Sequence, residues 1–138
     1  MISIPAPAQA LLGSDAVAHV WTRNPDGSPQ VSVVWFIAHG DQIWFGTDAN
    51  SRKAKNLQRD PEVILSIEDT ERNDRGFQRH LVIRGTATIE PVNHDVLDHM
   101  AEQYSDLAHH PLVEHNLPNS VMVRVQIDRI SGEGPWTD

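Results

Sequence analysis

Residues 17–47, VAHVWTRNPDGSPQVSVVWFIAHGDQIWFGT, decide the fold class. Val17 to Thr22 reads as a strand, rich in β-branched and aromatic side chains. Asn24-Pro25-Asp26-Gly27 follows, joining turn-forming side chains to a glycine that tolerates positive φ. Val31 to Ile37 reads as a second strand, His39-Gly40-Asp41 as a second turn, and Ile43 to Thr47 as a third strand. Connections this short cannot hold the dozen or more residues that a parallel crossover requires. The stretch therefore predicts an antiparallel meander. The chain also lacks a GxGxxG or Walker sequence, which argues further against a doubly wound dinucleotide fold.

Upstream, Pro5 and Pro7 open a short helix through Leu11 and Leu12 that ends near Gly13. Downstream, Arg52 to Arg59 reads as a helix capped by Ser51 or Asn50 and stopped by Asp60-Pro61. Val63 to Ile67 and Leu81 to Ile89 are further strands, separated by the polar run Glu68 to Arg75 and Gly76. Gly85 marks a bulge or a close backbone approach within the second of them. Asn93 caps a helix from His94 to Tyr104, whose apolar stripe is Val96, Leu97, Met100 and Ala101. Residues 105–118 read as a helical turn before Pro118. Val121 to Ile130 is the last strand, and a polar tail runs from Ser131 to Trp136. About six strands and two or three helices, with no internal repeat, predict a mainly β fold: a small β-barrel with peripheral helices.

A chain of 138 residues fits a single domain, here residues 1–138, with enough buried surface to need no metal or disulfide staple. The absence of cysteine removes disulfides, thiolate catalysis and cysteine-ligated metal sites. Eleven Lys and Arg against nineteen Asp and Glu give a formal charge of -8. That field opposes non-specific attraction to nucleic acid or an anionic membrane. No stretch approaches the roughly 20 apolar residues of a membrane span, and the start lacks the cationic region of a signal peptide. A soluble cytoplasmic protein with a small-molecule substrate, no nucleic-acid partner and no membrane insertion is the expectation.

Against this acidic background, Ser51-Arg52-Lys53-Ala54-Lys55-Asn56-Leu57-Gln58-Arg59-Asp60-Pro61 places four cations within eight positions. With Ser51 as helix cap, the first-turn amides and Arg52, Lys53 or Lys55 converge on one anionic group, for which phosphate is the natural candidate. The competing reading is a solvated basic face on a surface helix. The cluster His109, His110 and His115, with Asp106 and Glu114 nearby, has no closed ligand pattern, so no metal site is expected. No serine lies in a G-x-S-x-G context, which leaves a bound cofactor as the source of any chemistry. Among the four tryptophans, Trp136 stands out because a polar tail has no packing need for it.

The run Pro29 to Phe36, then Asp41 to Thr47, then Ser51 to Pro61, then Val82-Ile83-Arg84-Gly85-Thr86-Ala87-Thr88-Ile89 and a last strand at Val121 to Ile130, resembles the flavin and deazaflavin oxidoreductases related to pyridoxamine 5'-phosphate oxidase. Within that superfamily it is most similar to the actinobacterial group that uses the deazaflavin coenzyme F420. The resemblance covers about residues 8–132. It implies an FMN-binding split barrel and a homodimer with two cofactor sites at the subunit interface. It also implies that Gln30, Val31, Ser32, Val33 and Val34 border the tricyclic ring, mainly through backbone atoms. Lys53 matches the phosphate-binding lysine, Ser51 and Lys55 share its segment, Asn56 fixes that segment, and Thr47 faces it. Trp136 is assigned to cover the ring from the carboxyl end.

The chain is shorter than pyridoxamine phosphate oxidases and lacks a recognisable substrate phosphate clamp, so vitamin B6 oxidation is not expected. The resemblance implies hydride transfer between F420 and a small electron-poor organic substrate. An FMN-dependent oxidase or reductase and a non-catalytic flavin- or deazaflavin-binding protein are the alternatives. Positive surface beside Lys53 and Lys55, from Arg59, Arg72, Arg75 or Arg79, would favour the longer acidic tail of F420.

Overall fold

The computed structural model describes residues 2–104 and 118–137. Within them the chain forms α1 (Ala6–Leu12), β1 (Ala18–Arg23), β2 (Pro29–Val34), β3 (Phe36–His39), β4 (Gln42–Asp48), α2 (Arg52–Arg59), β5 (Glu62–Arg72), β6 (Gln78–Glu90), α3 (His94–Gln103) and β7 (Ser120–Glu133). One seven-stranded sheet runs in the order β2-β1-β5-β6-β7-β4-β3, and every neighbouring pair is antiparallel.

The β1–β2 turn forms as its residues dictate. Gly27 sits at φ 87°, its N–H donates to the Asn24 carbonyl at 2.9 Å, and Asp26 accepts from the backbone and hydroxyl of Ser28. Those bonds to Ser28 hold the Asp26 carboxyl below its ordinary pKa.

The expected three-strand meander is corrected in one respect. The run Val31 to Ile37 is two strands, because it changes neighbour at Trp35. Val34 pairs with Ala18 of β1, whereas Phe36 pairs with Phe45 of β4. Side-chain alternation continues through the switch: Val34 and Phe36 are buried while Val33 and Trp35 are exposed. Ile37 follows on the outer face, where it is buried with Val96, Leu97 and Met100 of α3. The period-two signal thus gives no hint of a break. Because β2 and β3 are the two edges of the sheet, a single residue joins one edge to the other, and the sheet curls closed on itself at that point.

Val20, Phe36, Phe45, Leu65, Ile83 and Val125 belong to the interior core, with α1 contributing Ala8, Leu11 and Leu12. A second cluster lies between α3 and the outer face of β3, β4 and β7, built from Ile37, Trp44, Val96, Leu97, Met100, Tyr104 and Met122. Asn93 Oδ1 accepts the Val96 N–H at 3.1 Å, confirming the predicted cap. The strands β5, β6 and β7 outrun their predicted limits. Their polar ends pair as an open ribbon, with His80 opposite Glu133, so backbone pairing rather than burial extends them. The register shifts between Arg84 and Gly85, where an added Cβ would stand 2.5 Å from the Gln126 carbonyl oxygen. That is the close approach expected of Gly85.

Candidate functional site

The helix α2 is built as a rigid anchor. Ser51 Oγ accepts the Ala54 N–H at 3.2 Å, which makes Ser51 the N-cap. Thr47, at the end of β4, places its Oγ1 3.0 Å from Ser51 Oγ and ties strand to cap. Asn56 is fully buried on the inner face of the helix. Its Nδ2 donates to Thr22 Oγ1 at 3.1 Å and to Asn24 Oδ1 at 3.0 Å, which docks α2 on β1. Arg59 closes the other end by donating to the Arg23 carbonyl and to Asn56 Oδ1.

This docking aims Lys53 into a cavity of about 450 Å³. The cavity lies between the joint of the sheet edges and the end of β4. Val17, Val33, Val34 and Trp35 form its apolar wall, and Thr47, Asp48 and Ser120 bring polar groups to it. Lys53 is the one Lys or Arg among the lining residues, and it has no ion pair among the described residues. Burial lowers its pKa, because the ammonium is partly withdrawn from water and forms no ion pair among the described residues. The amides of Arg52 and Lys53 belong to the first turn of α2, which has no intrahelical acceptor. A half-buried ammonium, a first helical turn and two hydroxyls beside an apolar wall suit a ligand with one anionic group and one flat apolar body.

Of the predicted site residues, Val33, Val34, Thr47 and Lys53 meet at this cavity. Ser51 stands behind them through Thr47, and Asn56 acts from beneath the helix. Gln30, Val31 and Ser32 lie further along β2, outside the lining, and Lys55 is exposed on α2. Trp136 is placed elsewhere. The expected polar tail is instead the continuation of β7 to Glu133 and a tight turn, and Trp136 is buried with its Nε1 donating to the His80 carbonyl at 3.1 Å.

Val17, Trp35, Gly46, Asp48, Pro118 and Ser120 complete the lining and were not singled out by sequence. Asp48 and Ser120 are cross-strand partners, so strand pairing was the missing signal.

The arginines expected to extend the positive surface do not line the cavity. Arg59 is docked on β1, Arg75 lies over Phe77 at the β5–β6 tip, and Arg72 borders a shallow depression with Asn73 and Asp74. Arg79 pairs with Asp69 at 3.1 Å and Glu71 at 3.5 Å in a second cavity of about 400 Å³, which Asp15, His19 and Glu68 also line.

His109, His110 and His115 lie outside the described residues, among which no group of three metal-ligating side chains occurs. No helix of the described residues is long and apolar enough to cross a membrane.

Several solved structures share this architecture. The conserved hypothetical protein Rv2991 from Mycobacterium tuberculosis is 28% identical, with a TM-score of 0.77 over 91% of this chain and 81% of its own. A protein named F420 Reductase is 26% identical, with a TM-score of 0.73 over 89% of this chain and 94% of its own. HutZ, the heme storage protein from Vibrio cholerae, is 16% identical with a TM-score of 0.74, covers 96% of both chains, and shows the fold alone. No curated protein matches the chain. The family model described as pyridoxamine 5'-phosphate oxidase matches residues 4–133. With nearly its whole length matched and its closed antiparallel sheet shared by these structures, the chain belongs to the pyridoxamine 5'-phosphate oxidase family and has its split-barrel fold.

Proposed function

We propose that the chain is an F420-dependent oxidoreductase that transfers hydride between the deazaflavin and a small electron-poor organic substrate. The observation that carries this reading is Lys53, a half-buried ammonium without an ion pair among the described residues, at the polar end of a cavity whose other wall is apolar. The 26% identity to the protein named F420 Reductase supports the choice of deazaflavin. Held by Lys53 and the apolar wall, a reduced deazaflavin would supply hydride chemistry towards an electron-poor carbon of the substrate.

The residues of the chain bind, orient and exclude water. Lys53 neutralises the cofactor phosphate, helped by the Thr47 and Ser51 hydroxyls and the first turn of α2. Val17, Val33 and Trp35 keep water from the ring and hold it against β2, whose backbone at Val33 and Val34 borders the tricyclic system. Gln30, Val31 and Ser32 join them only where the ring extends beyond the lining along β2. Lys55 stands beside the phosphate segment, and Asn56 fixes it. Tyr104 is not the proton donor, because its hydroxyl is already committed to the Ala16 carbonyl at 2.6 Å. The balancing proton comes from solvent.

The working unit in this proposal is a homodimer with its two sites at the subunit interface. Supporting it, edge strand β2 presents Val31 and Val33, each 57% exposed, in one row with Trp35. Trp136 reaches a ring, in this proposal, only if dimerisation brings the carboxyl end to the site.

One observation favours a second reading, an FMN-dependent oxidase or reductase. A single lining cation matches a single phosphate, with no further basic residue in the lining for an acidic tail.

Parallel fluorescence titration of cofactor-free protein with F420 and with FMN tests both readings. Stoichiometric binding of F420, with FMN held measurably but more weakly, followed by oxidation of reduced F420 by electron-poor acceptors, is the expected result. Selective FMN binding replaces the first reading with the second, and binding of neither overturns both.

A further inference from the structure

We infer that Trp35 is the residue that reads the flat face of the ligand ring, and that Tyr104 and Gln103 are positioning residues that hold it in place. The inference deepens the proposed cofactor site and rests on it.

Trp35 is the joint between the two edges of the sheet, and it lines the Lys53 cavity while remaining 38% exposed. Trp44 and Trp136, by contrast, are buried in the two cores. Its place in the β2 alternation puts it on the same face as Val33, which also lines the cavity. Among the lining residues it alone offers a π face. Valines beside it supply apolar surface but do not distinguish a flat ring from any other hydrocarbon. An indole does, because offset stacking requires a planar partner.

The backbone on either side of this wall is fixed from behind. The Phe36 N–H, directly after Trp35, donates to the Tyr104 hydroxyl oxygen at 3.4 Å. That hydroxyl donates in turn to the carbonyl of Ala16, directly before Val17. Gln103 Nε2 donates to the Phe36 carbonyl at 3.3 Å and to those of Leu12 and Ser14 at 2.9 and 2.8 Å. The end of α3 therefore ties the α1–β1 connection to the start of β3. Between those anchors stand Val17 and Trp35, the two sides of one apolar wall. A wall held this way is preorganised, so the ligand meets a smaller ordering penalty.

The test is titration of the wild type, Trp35→Phe, Trp35→Ala, Tyr104→Phe and Lys53→Ala with FMN and with riboflavin, which has the ring but no phosphate. Sedimentation of each variant accompanies it. Lys53→Ala should weaken FMN and spare riboflavin. Trp35→Ala should weaken both by the same factor, about tenfold, with Trp35→Phe recovering most of the loss. Tyr104→Phe, which removes one hydroxyl and keeps the ring, should weaken both ligands by a smaller common factor and leave the FMN-to-riboflavin ratio unchanged.

Loss of FMN binding alone in Trp35→Ala would overturn the stacking role. Unchanged ring affinity with an altered dimer would reassign Trp35 to the interface. Wild-type affinity for both ligands in Tyr104→Phe overturns its positioning role. If the wild type binds neither FMN nor F420, the cofactor reading itself fails, and that outcome is visible before any variant is made.

Discussion

The Lys53 and Arg79 cavities are nearly equal in volume, about 450 and 400 Å³, yet they hold their cations differently. In the second, Arg79 is answered by Asp69 and Glu71 and lies 5.3 Å from the Trp136 ring centroid, so the cation is compensated within the chain. In the first, Lys53 makes no ion pair among the described residues, although Asp48 also lines the cavity, and burial lowers its pKa. The difference teaches that size does not mark a binding site. A cation already held in close ion pairs is committed to the architecture; one held partly out of water with no ion-pair partner is available to something that arrives.

The largest effect should come from the architectural side. Trp136→Ala removes a buried indole and its bond to the His80 carbonyl, and should destabilise the protein by about 3 kcal/mol in urea unfolding. Affinity for FMN or F420 should be unchanged at temperatures where the variant is folded. A change in affinity without loss of stability would break the contrast and bring Trp136 to the site. On the binding side, Lys53→Ala should weaken either phosphorylated cofactor by about 10- to 100-fold, read by fluorescence titration, while the thermal midpoint does not fall. Asn56→Ala joins the two effects. It leaves Thr22 and Asn24 without their donor and should cost about 1–2 kcal/mol of stability along with some ligand affinity.

The smallest effect is a pH dependence. The folded, ligand-free chain holds Lys53 below its ordinary value of 10.5, so between the two values the unfolded chain binds more protons. The penalty of burying the ammonium is present in full below the lowered folded value and is relieved as pH rises towards 10.5. Unfolding curves of the wild type should therefore gain on those of Lys53→Met across that window. Phosphate-ligand affinity should fall over the same range, as the ammonium is lost. Parallel curves for the two proteins would mean that Lys53 is not withdrawn from water.

Local chemistry made much of this legible in the sequence. Ser51, Asn93, Gly27 and Gly85 each announced a cap, a turn or a close approach, because those jobs depend on the residue itself and its neighbours. The α2 segment was found at its bounds for the same reason. Trp35 shows where such reading stops: its alternation is unbroken, and only the identity of the neighbouring strand changes, which no local pattern encodes. Ser120 shows the same limit in the site, reaching the cavity only by pairing with Asp48, 72 positions earlier. Trp136 looked idle because its partner, the His80 carbonyl, is a backbone group that could belong to any residue.

The place of β7 between β6 and β4 has a consequence for the order of assembly. The β1–β2, β3–β4 and β5–β6 hairpins each close within a few residues and are available to the chain as soon as residue 90 is made. No strand in that length pairs with both β6 and β4. Only β7 welds them, and Pro118 and Ser120 arrive at the cavity with it. A nascent chain paused before residue 118 would hold Lys53 on its helix but lack one wall of the cavity. A ligand that needs that wall would therefore load onto the finished barrel rather than template its early folding.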